Sequence, residues 1–487
     1  MSTQDIATKL WNLCNVLRDD GVTYHQYLNE LTFILFLKLA ELKNFEEGIP
    51  EGYRWNTLTK IKDNAELFQK YRDLLANLST QSKNPAITEI YANARTMLRK
   101  PVNLRTLITS IDQLDWYEGE DRDALGDIYE DLLERNAGEK KSGAGQYFTP
   151  RPLINVMVDL LAPKTGEKWN DPACGTFGFM IAIDQYLQRK YDYEYSLNDA
   201  ERTFQKSVAL SGVELVADAH RLALMNAKLH GLDSNIILGD TLTGMGEKLN
   251  GYDGVLANPP FGTKRGGEKP TRTDFSIDTS NKQLNFLMHI YRGLKAGGRA
   301  AVVLPDNVLF EDGDGQAVRR DLMNKCDLHT ILRLPTGIFY AAGVKTNVLF
   351  FTRGQKDTGN TKRVWFYDMR TDMPRFGKRT PFEESAFEGF VTAYTGGAVT
   401  LDTVEAEYDG TIDEAARTQV QGKDKRWRVI TREKIAKKDD SLDLGLMADP
   451  NQRSSAELGE PEDIAKAALA EIKVIEGELM AILKELG

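Results

Sequence analysis

The chain has 487 residues, 41% of them hydrophobic, so it is long enough for more than one domain and can bury sizeable cores. Its 62 basic and 72 acidic residues give a formal net charge of −10, whereas proteins that bind nucleic acid unaided are usually basic. Three widely separated cysteines fit neither a disulfide framework nor a zinc site, and the start MSTQDIATKL lacks the blocks of a signal peptide, so we expect a cytoplasmic protein without membrane contact.

Residues 1–140 are predicted to form a helical domain. N-cap candidates at residues 2–5 precede apolar residues at helical spacing, namely Ile6, Leu10, Leu13, Cys14 and Leu17. The pattern from residue 24 to residue 42 is apolar on most sides, which is typical of a buried helix. A further amphipathic helix is predicted over 127–133, and a glycine-rich break at 138–145 closes the domain.

Residues 141–372 are predicted to form an α/β domain. Short β-rich runs alternate there with helical patterns, at 208–215, 236–239, 255–257, 300–304, 329–334 and 346–352. This alternation indicates a mostly parallel sheet that is covered by helices on both faces.

The C-terminal part of the sequence divides at about residue 455. The region 373–455 is loosely patterned and contains a basic and aromatic patch in a loop setting at 375–379. From Pro461 to Leu486, apolar residues recur at steps of three and four, which predicts a helix within 456–487 that docks along another helix. Docking on a partner and packing on its own domain both stay open.

The stretch DPACGTFGF at 171–179 follows a short candidate strand and opens a helical pattern. Small residues at such a turn let a cofactor approach the backbone closely, and open α/β sheets bind ligands at the carboxyl ends of their strands. A bare Gly-x-x-Gly turn, by itself, is more often only a tight turn without a ligand.

Acidic residues end the next two predicted strands. Glu214 could accept hydrogen bonds from ribose hydroxyls, and Asp240 could bind an adenine amino group in the same way. Glu214 lies about 40 residues beyond the glycine turn, too far for the nicotinamide-dinucleotide pattern. The alternative for each is a solvated acid at the end of a strand.

The tetrapeptide NPPF at 258–261 ends the fourth predicted strand. Two prolines cannot continue a sheet ladder, and they leave nearby carbonyl oxygens free to accept hydrogen bonds. The Asn258 amide oxygen and the Pro259 carbonyl could together accept both hydrogens of a planar amino group, while Phe261 stacks on a base. A Pro-Pro strand terminator with a core phenylalanine is the alternative.

Two segments flank these motifs. GQYFTP at 145–150 precedes the glycine turn, and Thr149 is a candidate N-cap for a helix beginning near Arg151. The stretch 262–282 is predicted to be a loop, either contacting phosphate or merely solvated, with five basic residues: Lys264, Arg265, Lys269, Arg272 and Lys282. His289, the next histidine after NPPF, lies on a helical pattern and is predicted to be structural.

GQYFTP, DPACGTFGF and NPPF in this order resemble the amino-methyltransferases in which the cofactor motif comes first. The helical start, the segment GDIYEDLLE and the chain length narrow the resemblance to the methylation (M) subunits of type I restriction-modification systems. It covers most of the chain and is weaker between about 372 and 455.

The resemblance implies a seven-stranded class I S-adenosylmethionine methyltransferase sheet whose last strand is antiparallel. It implies that S-adenosylmethionine is bound by the following residues: Tyr147, Phe148, Thr149, Asp171, Ala173, Gly175, Thr176, Glu214 and Asp240. Phe177 stands where similar proteins usually carry a small residue, which puts cofactor contact at that position in doubt.

The resemblance also implies the reaction and the partners. Asn258, Pro259, Pro260 and Phe261 are predicted to be catalytic, acting without a metal on N6 of an adenine flipped out of double-stranded DNA. A specificity (S) subunit is expected to read the sequence, with two M chains per S chain, and a restriction (R) subunit to join them. Methylation of protein glutamine, methylation of cytosine N4 and a non-catalytic scaffold are the alternatives.

Overall fold

The computed structural model describes residues 3–18, 24–116, 124–139, 149–262, 269–339, 344–374, 376–377 and 380–443. The N-terminal part is helical, as predicted, and its described residues contain no strand. Its helices are α1 (Thr3–Asn12), α2 (Cys14–Arg18), α3 (Tyr24–Leu42), α4 (Trp55–Lys60), α5 (Asn64–Gln81), α6 (Pro85–Ile90), α7 (Pro101–Asp112) and α8 (Ala124–Glu139). Short 3-10 helices occupy Glu46–Gly48 and Glu51–Tyr53.

The remaining helices surround the sheet or follow it. They are α9 (Arg151–Leu161), α10 (Gly178–Tyr191), α11 (Tyr193–Ser196), α12 (Asp199–Ser207), α13 (Ala217–Leu229), α14 (Lys282–Gly293), α15 (Asn307–Phe310), α16 (Asp314–Lys325), α17 (Glu388–Tyr394), α18 (Val404–Glu407), α19 (Glu414–Val420) and α20 (Arg432–Ala436). Further 3-10 turns lie at Gly246–Lys248 and Glu384–Phe387.

The strands of the described residues form one mixed sheet in the order β3-β2-β1-β4-β5-β7-β6-β8-β9. They are β1 (Trp169–Asp171), β2 (Leu210–Glu214), β3 (Asn235–Leu238), β4 (Tyr252–Ala257), β5 (Leu294–Pro305), β6 (Cys326–Arg333), β7 (Thr346–Arg353), β8 (Arg363–Asp368) and β9 (Trp427–Thr431). The prediction of seven strands is therefore wrong, because the described part of the chain already forms nine. Among the first seven, only β7 runs antiparallel to its neighbours β5 and β6.

The two additional strands extend the sheet at the edge beside β6. β8 pairs with β6 in parallel, and β9 pairs with β8 in antiparallel orientation. Trp365 of β8 and Trp427 of β9 stack with ring centroids 4.8 Å apart, and both are fully buried. The sheet therefore continues beyond residue 372, where the sequence pattern suggests the end of the catalytic domain.

The helical part packs against the sheet through α13. Arg221 of α13 donates from Nε to the Ile90 carbonyl oxygen over 2.7 Å, and its guanidinium lies 5.0 Å from the Phe33 ring centroid. Helix α8 contacts both α3 and α13. Helix α8 runs to Glu139, so residues 138 and 139 of the predicted glycine-rich break are helical instead. The rest of that predicted break, residues 140–145, lies outside the described residues.

Several predicted features fall outside the described residues. These are the partner-docking helix over 456–487, Tyr147 and Phe148, and most of the basic patch at 375–379. Phe376 of that patch is buried and packs edge-on against Phe382 with centroids 4.8 Å apart. Among the helices of the described chain, none is long and apolar enough to cross a membrane.

Candidate active site

A cavity of about 410 Å³ opens at the carboxyl ends of four neighbouring strands. The sheet order β3-β2-β1-β4 brings together four residues that end or follow these strands: Asp240, Glu214, Asp171 and Asn258. Predicted site residues that line the cavity are Thr149, Asp171, Ala173, Thr176, Glu214, Asp240, Asn258, Pro260 and Phe261. The volume is in the range of small-molecule sites, and the position follows the rule for open α/β sheets.

The turn after β1 is held by hydrogen bonds to the two neighbouring carboxylates. The Ala173 N–H donates to Oδ1 of Asp171 over 3.0 Å, and the Gly175 N–H donates to Oε2 of Glu214 over 2.9 Å. Gly175 has φ +52°, a left-handed conformation that glycine adopts at little cost. Gly175 is not among the described residues that line the cavity, and its conformation and its bond to Glu214 show that it shapes the turn.

Glu214 is not the solvated acid that the sequence left as an alternative. Its side chain is 4% exposed, and its second oxygen, Oε1, accepts the Val216 N–H over 2.7 Å. Burial raises the pKa of the Glu214 carboxyl, and the backbone N–H groups of Val216, Gly175 and Leu215 oppose that rise. A carboxylate fixed in this way keeps further lone pairs for a ligand's hydroxyl groups.

Asp171 is 2% exposed at the end of β1. Burial raises the pKa of its carboxyl to about 8, and the nearby Glu214 adds to the rise while the Ala173 N–H opposes it. A strongly raised pKa in a cleft is typical of functional sites. Asp171 therefore carries a proton near neutral pH until a cation or a hydrogen-bond donor favours its charged form.

Phe177 lies under the turn, away from the cavity. It is fully buried, has φ +69° and precedes α10 as its N-cap residue. A Cβ on Gly212 would lie 3.0 Å from its ring and 2.9 Å from the Cys174 side chain. The large side chain of Phe177 thus fills core space that Gly212 of β2 leaves open. Phe177 is not among the described residues that line the cavity.

The NPPF corner is fixed at both ends. Nδ2 of Asn258 donates to Oγ1 of Thr149 over 3.0 Å. Beyond Phe261, the Gly262 N–H donates to Oε1 of the buried Gln283 over 2.8 Å. Pro259 is buried and is absent from the described residues that line the cavity, whereas Pro260 and Phe261 face it.

Thr149 does not cap the following helix. Helix α9 begins at Arg151 with Pro150 at its N-cap position, and no side chain caps it. The Thr149 hydroxyl, on a residue that is 8% exposed, instead accepts the hydrogen bond from Asn258. Thr149, which was predicted to cap α9, thereby connects the GQYFTP segment to the NPPF corner.

Helix α8 supplies a wall of the cavity that the sequence analysis did not assign to the site. Its lining residues are Asp127, Glu130, Asp131, Leu133 and Glu134. Burial raises the pKa of the carboxyls of Glu130, Asp131 and Glu134. Arg151 joins this wall to α9 through an ion pair with Glu130 at 2.9 Å. The signal was in the sequence, since the four acids of GDIYEDLLE recur at steps of three and four along one helix face.

The wall contains three residues of the types that bind metal ions, but one of them is already engaged in an ion pair. Asp127, Glu130 and His230 each place one ligand atom within 4.8 Å of the others. Glu130 is already paired with Arg151, and burial together with the cations of Arg151 and Lys43 lowers the pKa of His230 to about 3. A metal ion at this cluster would have to compete with Arg151 for the Glu130 carboxylate.

Two of the three described basic residues after the corner make contacts within the chain. Lys264 and Arg265 lie outside the described residues, and Lys269 pairs with Asp278 at 2.7 Å. The largely buried Arg272 donates to the Thr241 carbonyl oxygen and to Nδ1 of the buried His289. Lys282 lines the cavity. Arg272 is therefore part of the scaffold that holds the loop after Asp240.

Comparisons with known proteins match this geometry. The family model of the N-6 DNA methylases matches residues 120–455, and that of the HsdM N-terminal domain matches residues 6–111. The chain is 46% identical to the StySPI methylase subunit of Salmonella potsdam, a type I restriction enzyme subunit, over all of this chain and 96% of the relative. It is 45% identical to the EcoKI methylase subunit of Escherichia coli K12 over the same shares.

Solved structures give the same picture. The crystal structure of the EcoKI M protein covers 99% of this chain and 96% of its own, with 39% identity and a TM-score of 0.56. A chain from a structural study of type I system assembly covers 100% of this chain and 98% of its own, with 26% identity and a TM-score of 0.75. A Listeria monocytogenes protein described as a class I S-adenosylmethionine-dependent methyltransferase shares the fold at 16% identity and a TM-score of 0.55, covering 84% of this chain and 99% of its own. The chain therefore belongs to the N-6 DNA methylase family, among the methylase (M) subunits of type I restriction-modification systems.

Proposed function

We propose that this chain binds S-adenosylmethionine in the cavity at the strand ends and methylates N6 of an adenine that is flipped into the mouth of the same cavity. The observation that carries the proposal is the joint placement of Asp171, Glu214 and Asn258 on one cavity wall. The family and the fold imply S-adenosylmethionine as the methyl donor. The roles of individual residues are our assignment.

The described residues suit the proposed cofactor. Glu214 has lone pairs for the ribose hydroxyls, and Asp240, whose Oδ1 accepts the Leu242 N–H over 2.8 Å, lies at the next strand end for the adenine amino group. Leu215 and Val216 offer apolar surface between these two acids. The acidic wall on α8 and the ionisable Asp171 favour a ligand that carries positive charge at the end away from its adenine.

The corner suits the target base. Because adenine N6 is enclosed in the duplex, the base must leave the stack, which costs a few kcal/mol that stacking on Phe261 partly offsets. Oδ1 of Asn258, which lines the cavity, would accept one amino hydrogen and direct the nitrogen lone pair at the methyl group. The carbonyl of the buried Pro259 would accept the second hydrogen once the base is seated at the corner. The cofactor supplies an electrophilic methyl on a sulfonium sulfur. The N6–C bond forms as the C–S bond breaks, and the displaced N6 proton passes to solvent.

Positioning and electrostatics therefore carry the reaction, since no base within the corner is needed.

The protein also needs partners in this proposal. We propose that an S subunit selects the DNA sequence, that two M chains bind each S chain and that an R subunit joins them; the type I relatives and the assembly structure support the existence of such partner subunits.

The test is Asn258→Ala in the complex of M and S subunits. We expect methyl transfer to DNA to fall by at least about 100-fold, because orienting contacts in the transition state carry that much, while calorimetric binding of S-adenosylmethionine persists. Asn250→Ala is the matched control, since Asn250 is exposed and lies before β4. Unchanged turnover of the Asn258 variant would refute the assigned role.

A further inference from the structure

The Asn258 amide has two different ends, and the structure shows which partner one of them uses. Nδ2 donates to Oγ1 of Thr149 over 3.0 Å. In the described part of the chain, Thr149 is the one side chain with a hydrogen bond to this amide. Thr149 lies 109 residues earlier in the sequence, so the contact depends on the tertiary fold.

The two amide ends have opposite hydrogen-bonding chemistry. The oxygen only accepts, and the nitrogen only donates. The amino group of adenine, held in the plane of its ring, offers hydrogens, so a corner that presents Nδ2 to it would place donor against donor. The reaction therefore requires one of the two amide orientations, which differ by a half-turn of the side chain.

We infer that Thr149 is a positioning residue that anchors the Asn258 side chain at the corner with its Oδ1 left for the base. The inference rests on the proposed function. By accepting the hydrogen bond from Nδ2, the hydroxyl leaves Oδ1 turned away from Thr149 and available to the base. Thr149 thus acts on the substrate through Asn258, in addition to any contact with the cofactor.

Thr149 is placed firmly enough for this task. Its side chain is 8% exposed, and threonine, being branched at Cβ, has few side-chain conformations. Two residues later Arg151 fixes the start of α9 by its ion pair with Glu130 at 2.9 Å and its hydrogen bond to Gln185 at 2.5 Å. The acceptor for Nδ2 is therefore held by a helix start that is itself tied to α8 and α10.

The experiment measures single-turnover methylation by the M and S complex at saturating S-adenosylmethionine, with cofactor affinity measured separately by calorimetry. Thr149→Val replaces the hydroxyl by a methyl group of similar size. We expect its rate to fall by about 10- to 100-fold, in line with a misplaced reacting group, while Thr149→Ser restores most of the rate. Thr149→Ala removes the hydroxyl without added apolar contact and replaces the valine variant if that one does not fold.

The results distinguish a positioning role of Thr149 from a role in cofactor binding alone and from a failure of the proposed function. A rate that recovers fully when S-adenosylmethionine is raised would show that Thr149 only binds the cofactor and would overturn the inference. A wild-type rate in the valine and alanine variants would do the same. If the wild-type complex itself transfers no methyl group to adenine, the proposed function fails instead.

Discussion

Asp171 has a buried carboxyl group whose pKa, raised to about 8, makes the site sensitive to pH. An unperturbed aspartate has a pKa of about 4, so between about pH 4 and pH 8 the folded protein keeps a proton that the unfolded chain has released. The free energy of unfolding of the cofactor-free protein therefore falls as pH rises through this window. A cationic ligand reverses the preference by favouring the charged carboxylate.

We predict that the affinity for S-adenosylmethionine depends on pH through the protonation of Asp171. Below pH 8, binding should release a proton from Asp171, so its contribution to the affinity should rise by up to about tenfold per pH unit and level off above pH 8. Calorimetry in buffers of different ionisation enthalpy counts the released protons.

Asp171→Asn is the control for this linkage. It keeps an oxygen for the Ala173 N–H but cannot ionise, so it should bind S-adenosylmethionine more weakly and release fewer protons. It should also melt at a higher temperature than the wild type at pH 8, because the buried charge is gone. Equal proton release by both proteins would contradict the raised pKa.

Individual residues of the site were predictable where local sequence determines their place. Asp171, Glu214 and Asn258 each end or follow a β-rich run, so strand periodicity was enough to bring them to one edge. The hydrogen bond from Asn258 to Thr149 and the burial of Arg272 were not predictable, since both depend on contacts between distant segments.

Helix α8 is an element whose secondary structure could be predicted from the sequence but whose position could not. Its helical character follows from apolar spacing, but its place as a cavity wall depends on how closely it approaches α13. Gly126 makes this approach possible, because a Cβ there would lie 2.5 Å from Cε1 and Nε2 of His230. The His230 ring is buried and cannot easily give way.

We predict that Gly126→Ala destabilises the protein and weakens cofactor binding. Alanine favours a helix over glycine by about 1 kcal/mol, but forcing a methyl into a packed contact costs about 1–3 kcal/mol. The melting temperature should therefore fall by a few degrees, and the Kd for S-adenosylmethionine should rise as α8 moves from the cavity.

Two variants make that result specific. Gly52→Ala is a matched control, since its added Cβ would meet only the Lys70 ammonium at 3.5 Å. His230→Ala should remove most of the cost of Gly126→Ala when the two are combined. A double variant as impaired as the sum of the single ones would rule out the contact as the cause.

The strands that the sequence analysis missed lie at the far edge of the sheet from the catalytic motifs. β9 is five residues long, is flanked by charged residues and joins β8 only after an insertion of more than fifty residues that contains α17, α18 and α19. Its register is fixed by the stacking of Trp365 on Trp427, a non-local contact. Such pairing leaves little trace in local periodicity.

At the scale of the whole molecule, the charge of the chain bears on the division of labour between subunits. The net charge is −10, and near the corner the described Arg272 and Lys269 are engaged in internal pairs. Phosphate contacts supply most of the affinity of DNA-binding proteins. The chain alone is therefore expected to hold DNA weakly, and an S subunit to contribute both the DNA sequence preference and a share of the binding surface.

The last prediction concerns the segment 456–487, whose heptad-like apolar spacing in the sequence predicts a helix that docks along another helix, and we expect that helix to belong to the S subunit. A chain that ends at residue 455 should bind S-adenosylmethionine with the wild-type Kd, because the described site lies wholly before that residue. It should fail to form the complex of two M chains and one S chain that we propose for the 487-residue chain, which light scattering of both mixtures would check. Its DNA methylation should stay low when S is added. A shortened chain that still assembles two to one with S would mean that the segment packs on its own domain. Strong site-specific methylation by the full-length chain without S would contradict the division of labour itself.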